Sequence, residues 1–257
     1  SEILAPAIHY AQNGFPLTEL IAWYMHRTVP FFESKGFPNI EDTYKNQNGG
    51  KLPNEGEIYK NVYLANTYKK IAERGRDVFY KGEIAETIGK FIKEQGGFLS
   101  FKDLASHKSE WVEPVSINYR GYDVWELPPN GQGIAALQML KILEGYDFSN
   151  IEFGSTEHLH LFTEAKKLAF EDRAKYYADM DFAAVPLEQL LSESYANSRR
   201  ELISDKAGLY SAGEISAGET IYMTVADNKG TMVSLIQSNY RGMGSGMAPP
   251  KLGFMLQ

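Results

Sequence analysis

Apolar residues recur with helical spacing along most of the chain and alternate in only two places. "LAPAIHYAQNGF" predicts a first helix, with Leu4, Ile8 and Ala11 in step and Gly14 as the stop. A second helix is predicted from Thr18, a suitable N-cap, to a stop before Pro30. "NEGEIYKNVYLANTYKKIAERGRDVFYKGEIAETIGKFIKEQGGF" predicts two more, broken near Gly75, the later one closing on the C-cap signature Gly96-Gly97. "SFKDLASHKSEW" predicts a short helix with Ser100 at the N-cap and Asp103 at N3. "EPVSINYRGYDVWELP" alternates and is rich in β-branched and aromatic residues, which predicts two strands around Arg120-Gly121. Helices follow from Gly133 to about Glu144, from Glu157 to about Tyr177, and from Pro186 to Arg200.

The segment from Ser204 to Glu219 is small and polar, and is predicted to be linker-like, exposed and open to cleavage. Alternation returns at Thr220, where a strand to Asp227 places Thr220, Tyr222, Thr224 and Ala226 on one face. A three-residue loop, Asn228-Lys229-Gly230, with Gly230 left-handed, pairs Asp227 with Thr231 and hence Thr220 with Ser238. A two-residue loop would instead set Gln237 opposite Thr220. There is no internal repeat. Helices mostly precede strands, so the expected fold class is α+β rather than alternating α/β.

The 43% hydrophobic and 23% charged composition is that of a globular core. A net charge of −7 argues against a general affinity for nucleic acid or anionic membrane. With no cysteine among the 257 residues, none of them can form a disulfide, a catalytic thiolate or a thiolate–zinc site. No apolar run approaches the roughly 20 residues of a membrane span. Neither a basic nor an apolar leader is visible, and both ends read as cuts through a longer protein. The compartment stays open between periplasmic or secreted and cytoplasmic.

"GQGIAA", Gly131 to Ala136, has the outline of a dinucleotide fingerprint, with Glu152 about 20 residues further on. Pro128-Pro129-Asn130 interrupts the turn and no second strand follows the helix, so the expectation is a tight turn feeding a helix, with no cofactor. His158 and His160 are two apart and point to different helix faces, and no histidine spacing suits a metal. The acid pairs Glu171-Asp172 and Asp179/Asp181 read as helix-surface ion pairing with Arg173 and Lys175. "GMGSG" lacks the spacing of a nucleophile elbow and reads as a flexible or tightly turned loop.

Thr220 supports two readings. One is a β-prone residue on a polar strand face. The other is a nucleophile: if the chain is cut before Thr220, its own α-amine, with a pKa near about 8, can take the hydroxyl proton. Ser238 opposite would orient that hydroxyl, and no histidine or aspartate is needed.

These residues resemble a central piece of the γ-glutamyltransferases (γ-glutamyltranspeptidases), members of the N-terminal nucleophile hydrolases. The resemblance runs through "LAPAIHYAQNGF", "FYKGEIAETI", "GGFLSFKDLA", "EPVSINYRGYDVWELPPNGQGI", "LQMLKILEGYDFS", "EAKKLAFEDRAKYYADMDF" and "ETIYMTVADNKGTMVSLIQSNYRGMGSG". It implies a partial αββα sandwich, with residues 1–219 ending a large subunit and 220–257 beginning a small one. It also implies self-cleavage between Glu219 and Thr220, attack by Thr220 on a γ-glutamyl or similar amide, and resolution by water or an amino acceptor.

By the same resemblance Ser238 stands where the family has a second threonine beside the nucleophile. Tyr240 stands where typical members have a substrate-binding asparagine. Thr220-Ile221-Tyr222 replaces Thr-Thr-His, and Asn130-Gly131-Gln132-Gly133 replaces a serine-rich stretch. These departures resemble the related acylases. The family's carboxylate-gripping arginine and oxyanion glycine pair are matched by nothing in these residues, so the missing parts of the same protein are the expected partner, beside a small amide substrate. The 257 residues alone are expected to be inactive. The alternatives are an acylase for non-glutamyl amides and a non-catalytic scaffold.

Overall fold

The structure, a computed structural model, describes residues 2–209, 221–240 and 242–257, with the backbone alone for Ile221, Tyr222 and Ile236. The chain forms two compact units, Ser1–Lys108 with Ser216–Gln257, and Ser109–Ile215. In chain order the first unit contains α1 (Ala5–Asn13), β1 (Phe15–Pro16), α2 (Glu19–Ser34), α3 (Ile40–Tyr44), β2 (Ile58–Tyr59), α4 (Val62–Arg74), α5 (Arg76–Tyr80), α6 (Glu83–Glu94) and α7 (Phe101–Ser106). The second contains β3 (Val115–Tyr119), β4 (Tyr122–Glu126), α8 (Gly133–Leu143), α9 (Thr156–Tyr176), α10 (Leu187–Leu190) and α11 (Glu193–Arg200). The first unit resumes with β5 (Ile221–Ala226) and β6 (Met232–Gln237). Every strand pair described is antiparallel. No helix of the described residues is long and apolar enough to cross a membrane.

Several ends follow local chemistry. α1 stops at Gly14, whose φ is 88°. α6 closes at Gly96 (φ 77°), where the Gly96 and Gly97 N–H groups reach Lys93 O and Ile92 O. α7 opens on the expected capping box: Asp103 N–H donates to Ser100 Oγ, and Ser100 N–H to the Asp103 carboxylate.

Other expectations need correction. α2 does not stop before Pro30 but runs to Ser34. An interior proline costs a helix about 3 kcal/mol. Met25, Val29 and Phe32 are buried on one face of α2, and each such side chain returns about 1.5–3 kcal/mol, so burial outweighs the break. The stretch expected to hold two helices holds three, because Gly82 follows α5 with a separate start at Glu83. The helix expected from Pro186 to Arg200 is two, since the Ser192 hydroxyl accepts Tyr195 N–H and restarts the chain as α11. α3 was not anticipated; its five residues bury Ile40, Thr43 and Tyr44.

In the first unit, one core gathers Leu17, Met25, Val29, Phe32 and Ile40 with Ala248 and Met255. A second joins Val78, Ile84, Ile88, Phe91 and Ile92 to Leu252. Ala248, Leu252 and Met255, in the last ten residues, are therefore part of this unit's cores. In the second unit α8 and α9 share a core of Ile142, Leu143, Leu161, Ala165 and Leu168. The β3–β4 hairpin covers Ile134 and Leu137 through Ile117.

Asp172 is the main electrostatic surprise. It is not a surface partner of Arg173 or Lys175 but is 4% exposed. Glu164, Ala165, Leu168 and Asp172 all lie on the buried face of α9, since residues four apart share a helix face.

Candidate active site

The strand pair from Ile221 to Gln237 has the three-residue loop. Its partners run from Ala226↔Met232 to Ile221↔Gln237, and Asp227 N–H donates to Thr231 O. Gly230 is left-handed, with φ 85°. The Asp227 carboxylate accepts the Thr231 and Lys229 N–H groups, which hold its pKa below the usual carboxylate range. The described ladder ends at Ile221↔Gln237, one position before Ser238. Glu219 and Thr220 themselves lie outside the described residues.

The hairpin's two faces differ. Met223, Val225, Val233 and Leu235 make one apolar face, and all four are exposed. The other face carries Thr224 opposite Ser234 and leads on to Ser238.

Two expected site residues are tied together just past the strand. Tyr240 N–H donates to Ser238 Oγ at 2.8 Å, which orients the hydroxyl oxygen. Tyr240 sits at φ 66° with its ring half-exposed. The left-handed region costs a side-chain-bearing residue about 1–2 kcal/mol, and asparagine tolerates it better than tyrosine does.

Beyond them the "GMGSG" stretch is tightly turned rather than loose. Gly244 (φ 96°) brings its Cα against Leu256 O, and a Cβ there would stand 2.5 Å from that oxygen. Ser245 N–H and Oγ–H both donate to Leu256 O, and Leu256 N–H donates to Met247 O. Gly242, Gly244 and Ser245 floor a cleft of about 620 Å³ whose wall is α2, with Tyr24, Phe31 and the cations Arg27 and Lys35. Such a cleft suits an apolar or anionic group.

The irregular segment 248–253 has no strand partner among the described residues, so side chains take its carbonyls. Asn39 donates to Ala248 O at 2.9 Å, Thr67 to Leu252 O at 2.8 Å and Asn61 to Gly253 O at 2.7 Å. Asn61 also caps α4 by accepting Leu64 N–H. None of these three was singled out from the sequence; the only local signal was an asparagine at a helix start. Asn61→Ala should lower stability by about 2–4 kcal/mol, summing a lost cap and a stranded buried carbonyl. A urea melt of the full-length protein measures it, and Asn61→Asp, which keeps the cap acceptor but sets a carboxylate oxygen against Gly253 O, should recover little.

The Gly131–Ala136 stretch opens α8, but the geometry is wrong for a dinucleotide. β4 pairs antiparallel with β3, and a Cβ at Gly133 would stand 2.5 Å from Glu126 Oε2. A carboxylate of the chain itself thus lies at the helix start where a phosphate would have to approach. His158 lies among the rings of Phe148, Phe153 and Phe162, and His160 bonds Ser204 O at 2.7 Å. No cluster suited to a metal occurs among the described residues.

The family model described as Gamma-glutamyltranspeptidase matches residues 1–257. The chain is 38% identical to the glutathione hydrolase-like YwrD proenzyme of Bacillus subtilis over all of its length and 48% of that protein. It is 36% identical to the acylase ACY 1 proenzyme of a Pseudomonas species, over 93% of the chain and 43% of that protein. Among solved structures, a cephalosporin acylase from Bacillus halodurans superposes with a TM-score of 0.87 at 40% identity, over 98% of this chain and 46% of the other. The chain spans about half the length of the curated relatives it matches. The fold is that of these N-terminal nucleophile hydrolases, α+β as expected.

Proposed function

The chain belongs to the γ-glutamyltranspeptidase family, and on that premise we propose that it is part of a self-cleaving amidohydrolase and acyltransferase whose nucleophile is Thr220. Residues 1–219 end the large subunit and residues 220–257 begin the small one. The observation that carries this reading is the hairpin register, which runs unbroken through Ile221↔Gln237 and supports Ser238 as the neighbour of the residue before Ile221.

In maturation Thr220 Oγ attacks the Glu219 carbonyl carbon. The C–N bond breaks, the hydroxyl proton ends on the new α-amine, and an ester remains. Water cleaves that ester, leaving the Glu219 carboxylate and the free Thr220 hydroxyl. The α-amine, with a pKa near about 8, then serves as base when the hydroxyl attacks a substrate amide. The leaving amine takes the proton, and water or an acceptor amine releases the acyl group. Ser238, held by Tyr240 N–H, orients the nucleophile.

Stabilising the oxyanion needs aimed donors, which the rest of the protein supplies. The exposed apolar face of the hairpin supports such a covering partner. Turnover is therefore absent from residues 1–257 alone. A new N-terminus at Thr220 in the purified full-length protein is the test; an active chain that stays intact refutes the reading.

The acyl group is γ-glutamyl, as from glutathione, or a related acyl group. Tyr240 specifically favours the second, acylase reading, because a half-exposed phenol replaces the asparagine expected at a left-handed position. Tyr240→Asn should relieve strain by about 1 kcal/mol and raise kcat/KM for glutathione relative to a simple acyl amide by at least about tenfold. Competition between the two substrates measures the ratio. An unchanged ratio assigns the preference to other residues.

A further inference from the structure

α2 carries more than its buried stripe. Beside Met25, Val29 and Phe32, which face the core, Tyr24, Arg27, Thr28, Phe31 and Lys35 recur at helical spacing and share a second face. That face is the wall of the cleft over Gly242 and Gly244. Its chemistry is one-sided, rings and cations with no carboxylate among the described lining residues. Glu33, in the last turns of α2, is already paired with Lys45 at 2.5 Å. Among the described residues, neither the Arg27 nor the Lys35 side chain makes an ion pair or a hydrogen bond. Each stands over a ring instead: Arg27 Cζ is 5.1 Å from the Trp23 ring centroid, and Lys35 Nζ is 5.8 Å from that of Phe31. A ring covers the face of a guanidinium and leaves its edge N–H groups, the ones that grip a carboxylate, open.

The cleft holds about 620 Å³, the size of a small-molecule site. Phe31 and Phe37 supply apolar surface beside the two cations. Gly242 is left-handed at φ 53°, and no atom lies within 4 Å of where its Cβ would stand, so the floor is open at that end. Gly242 is four residues beyond Ser238, a length of chain that spans at most about 14 Å. A substrate with its amide beside Ser238 can therefore extend a substituent into the cleft.

Resting on the amidohydrolase reading above, we propose that this cleft is a specificity pocket for an apolar or aromatic substituent that ends in a carboxylate, with Arg27 and Lys35 gripping the carboxylate. The rings take the apolar part, and the cations complement the charge through hydrogen bonds to an ionised acceptor, the stronger kind. The same chemistry could sit on the acyl half of the substrate or on the amine that leaves or accepts.

Binding is read first, by calorimetry on mature full-length protein with 3-phenylpropionate and its neutral isostere 3-phenylpropanamide. The carboxylate should bind at least about tenfold more tightly, and Arg27→Gln/Lys35→Gln should erase that difference. Both side chains are exposed, so the urea midpoint of the double variant should match wild type. Phe31→Ala, at another exposed position, should weaken both probes alike. Two pairs of amide substrates then locate the source, one with and without a carboxylate on the acyl half, the other with and without it on the amine half. The pair whose kcat/KM ratio falls at least about tenfold in the double variant identifies the half that the cleft holds.

Equal binding of the two probes, no binding of either, or a double variant that still prefers the carboxylate overturns the proposal and leaves the self-cleavage reading intact. Substrate ratios that the double variant leaves unchanged in both pairs overturn it as well. Tight carboxylate binding by a protein that never cleaves before Thr220 keeps the pocket and overturns the self-cleavage reading.

Discussion

Full-length protein carrying Thr220→Ala is expected to remain one uncut chain and to lose activity by at least about 10³-fold. On the mechanism proposed above, two losses coincide. Without the hydroxyl no ester can form at Glu219, so the α-amine that serves as base is never released. Without the same hydroxyl no acyl-enzyme can form on substrate. Thr220→Ser keeps the oxygen and should still cut. Intact-mass measurement reads cleavage and an amide-hydrolysis assay reads turnover. Ordinary turnover in the alanine variant would remove Thr220 from the mechanism and leave a scaffold role for this hairpin. Ser238→Ala, which removes only the hydroxyl held by Tyr240 N–H, is a milder probe than loss of the proposed nucleophile.

Asp172→Ala is expected to lower the unfolding free energy by about 3–5 kcal/mol, because it leaves a buried network without its acceptor. Asp172 Oδ1 accepts the Tyr195 hydroxyl at 2.8 Å and Arg199 Nη2 at 3.0 Å. Its Oδ2 accepts Gln138 Nε2 at 2.8 Å, and Gln138 Oε1 accepts the Tyr177 hydroxyl. One carboxylate thereby joins α8, α9 and α11. Burial pushes the Tyr195 phenol up to about 12 and raises that of Tyr177 as well, so both remain donors across the neutral range. Asp172→Asn would set an amide N–H against one of these donors and should recover little. A urea melt of the full-length protein measures both. A loss for Asp172→Ala within about 0.5 kcal/mol, the range of ordinary surface substitutions, would show that the network contributes nothing to stability.

The local structure of the chain was readable wherever chemistry acts within a few residues. Ser100 with Asp103, Gly14, Gly96 and the Asn228–Gly230 loop each depend on hydrogen bonds or a φ angle inside one turn, and each stands as expected. Pro30 misled because its cost is local while its compensation, burial of Met25, Val29 and Phe32, comes from the packed unit. Asp172 misled because a charged residue beside Arg173 has the look of a surface position. Only the packing of α8 and α11 against α9 shows that it faces inward.

The candidate site divides along the same line. Alternation assigned the strand faces from sequence and left two loop lengths open; the observed pairing of Ala226 with Met232 selects the three-residue loop, and turn length then fixes which residues face each other. The left-handed Tyr240, the packing of Gly244 against Leu256, and the anchoring of segment 248–253 by Asn39, Asn61 and Thr67 were decided by tertiary structure alone. The three anchoring hydrogen bonds join residues 185 to 209 positions apart. No local pattern encodes them, because a hydrogen bond between distant segments exists only after the cores between them have closed.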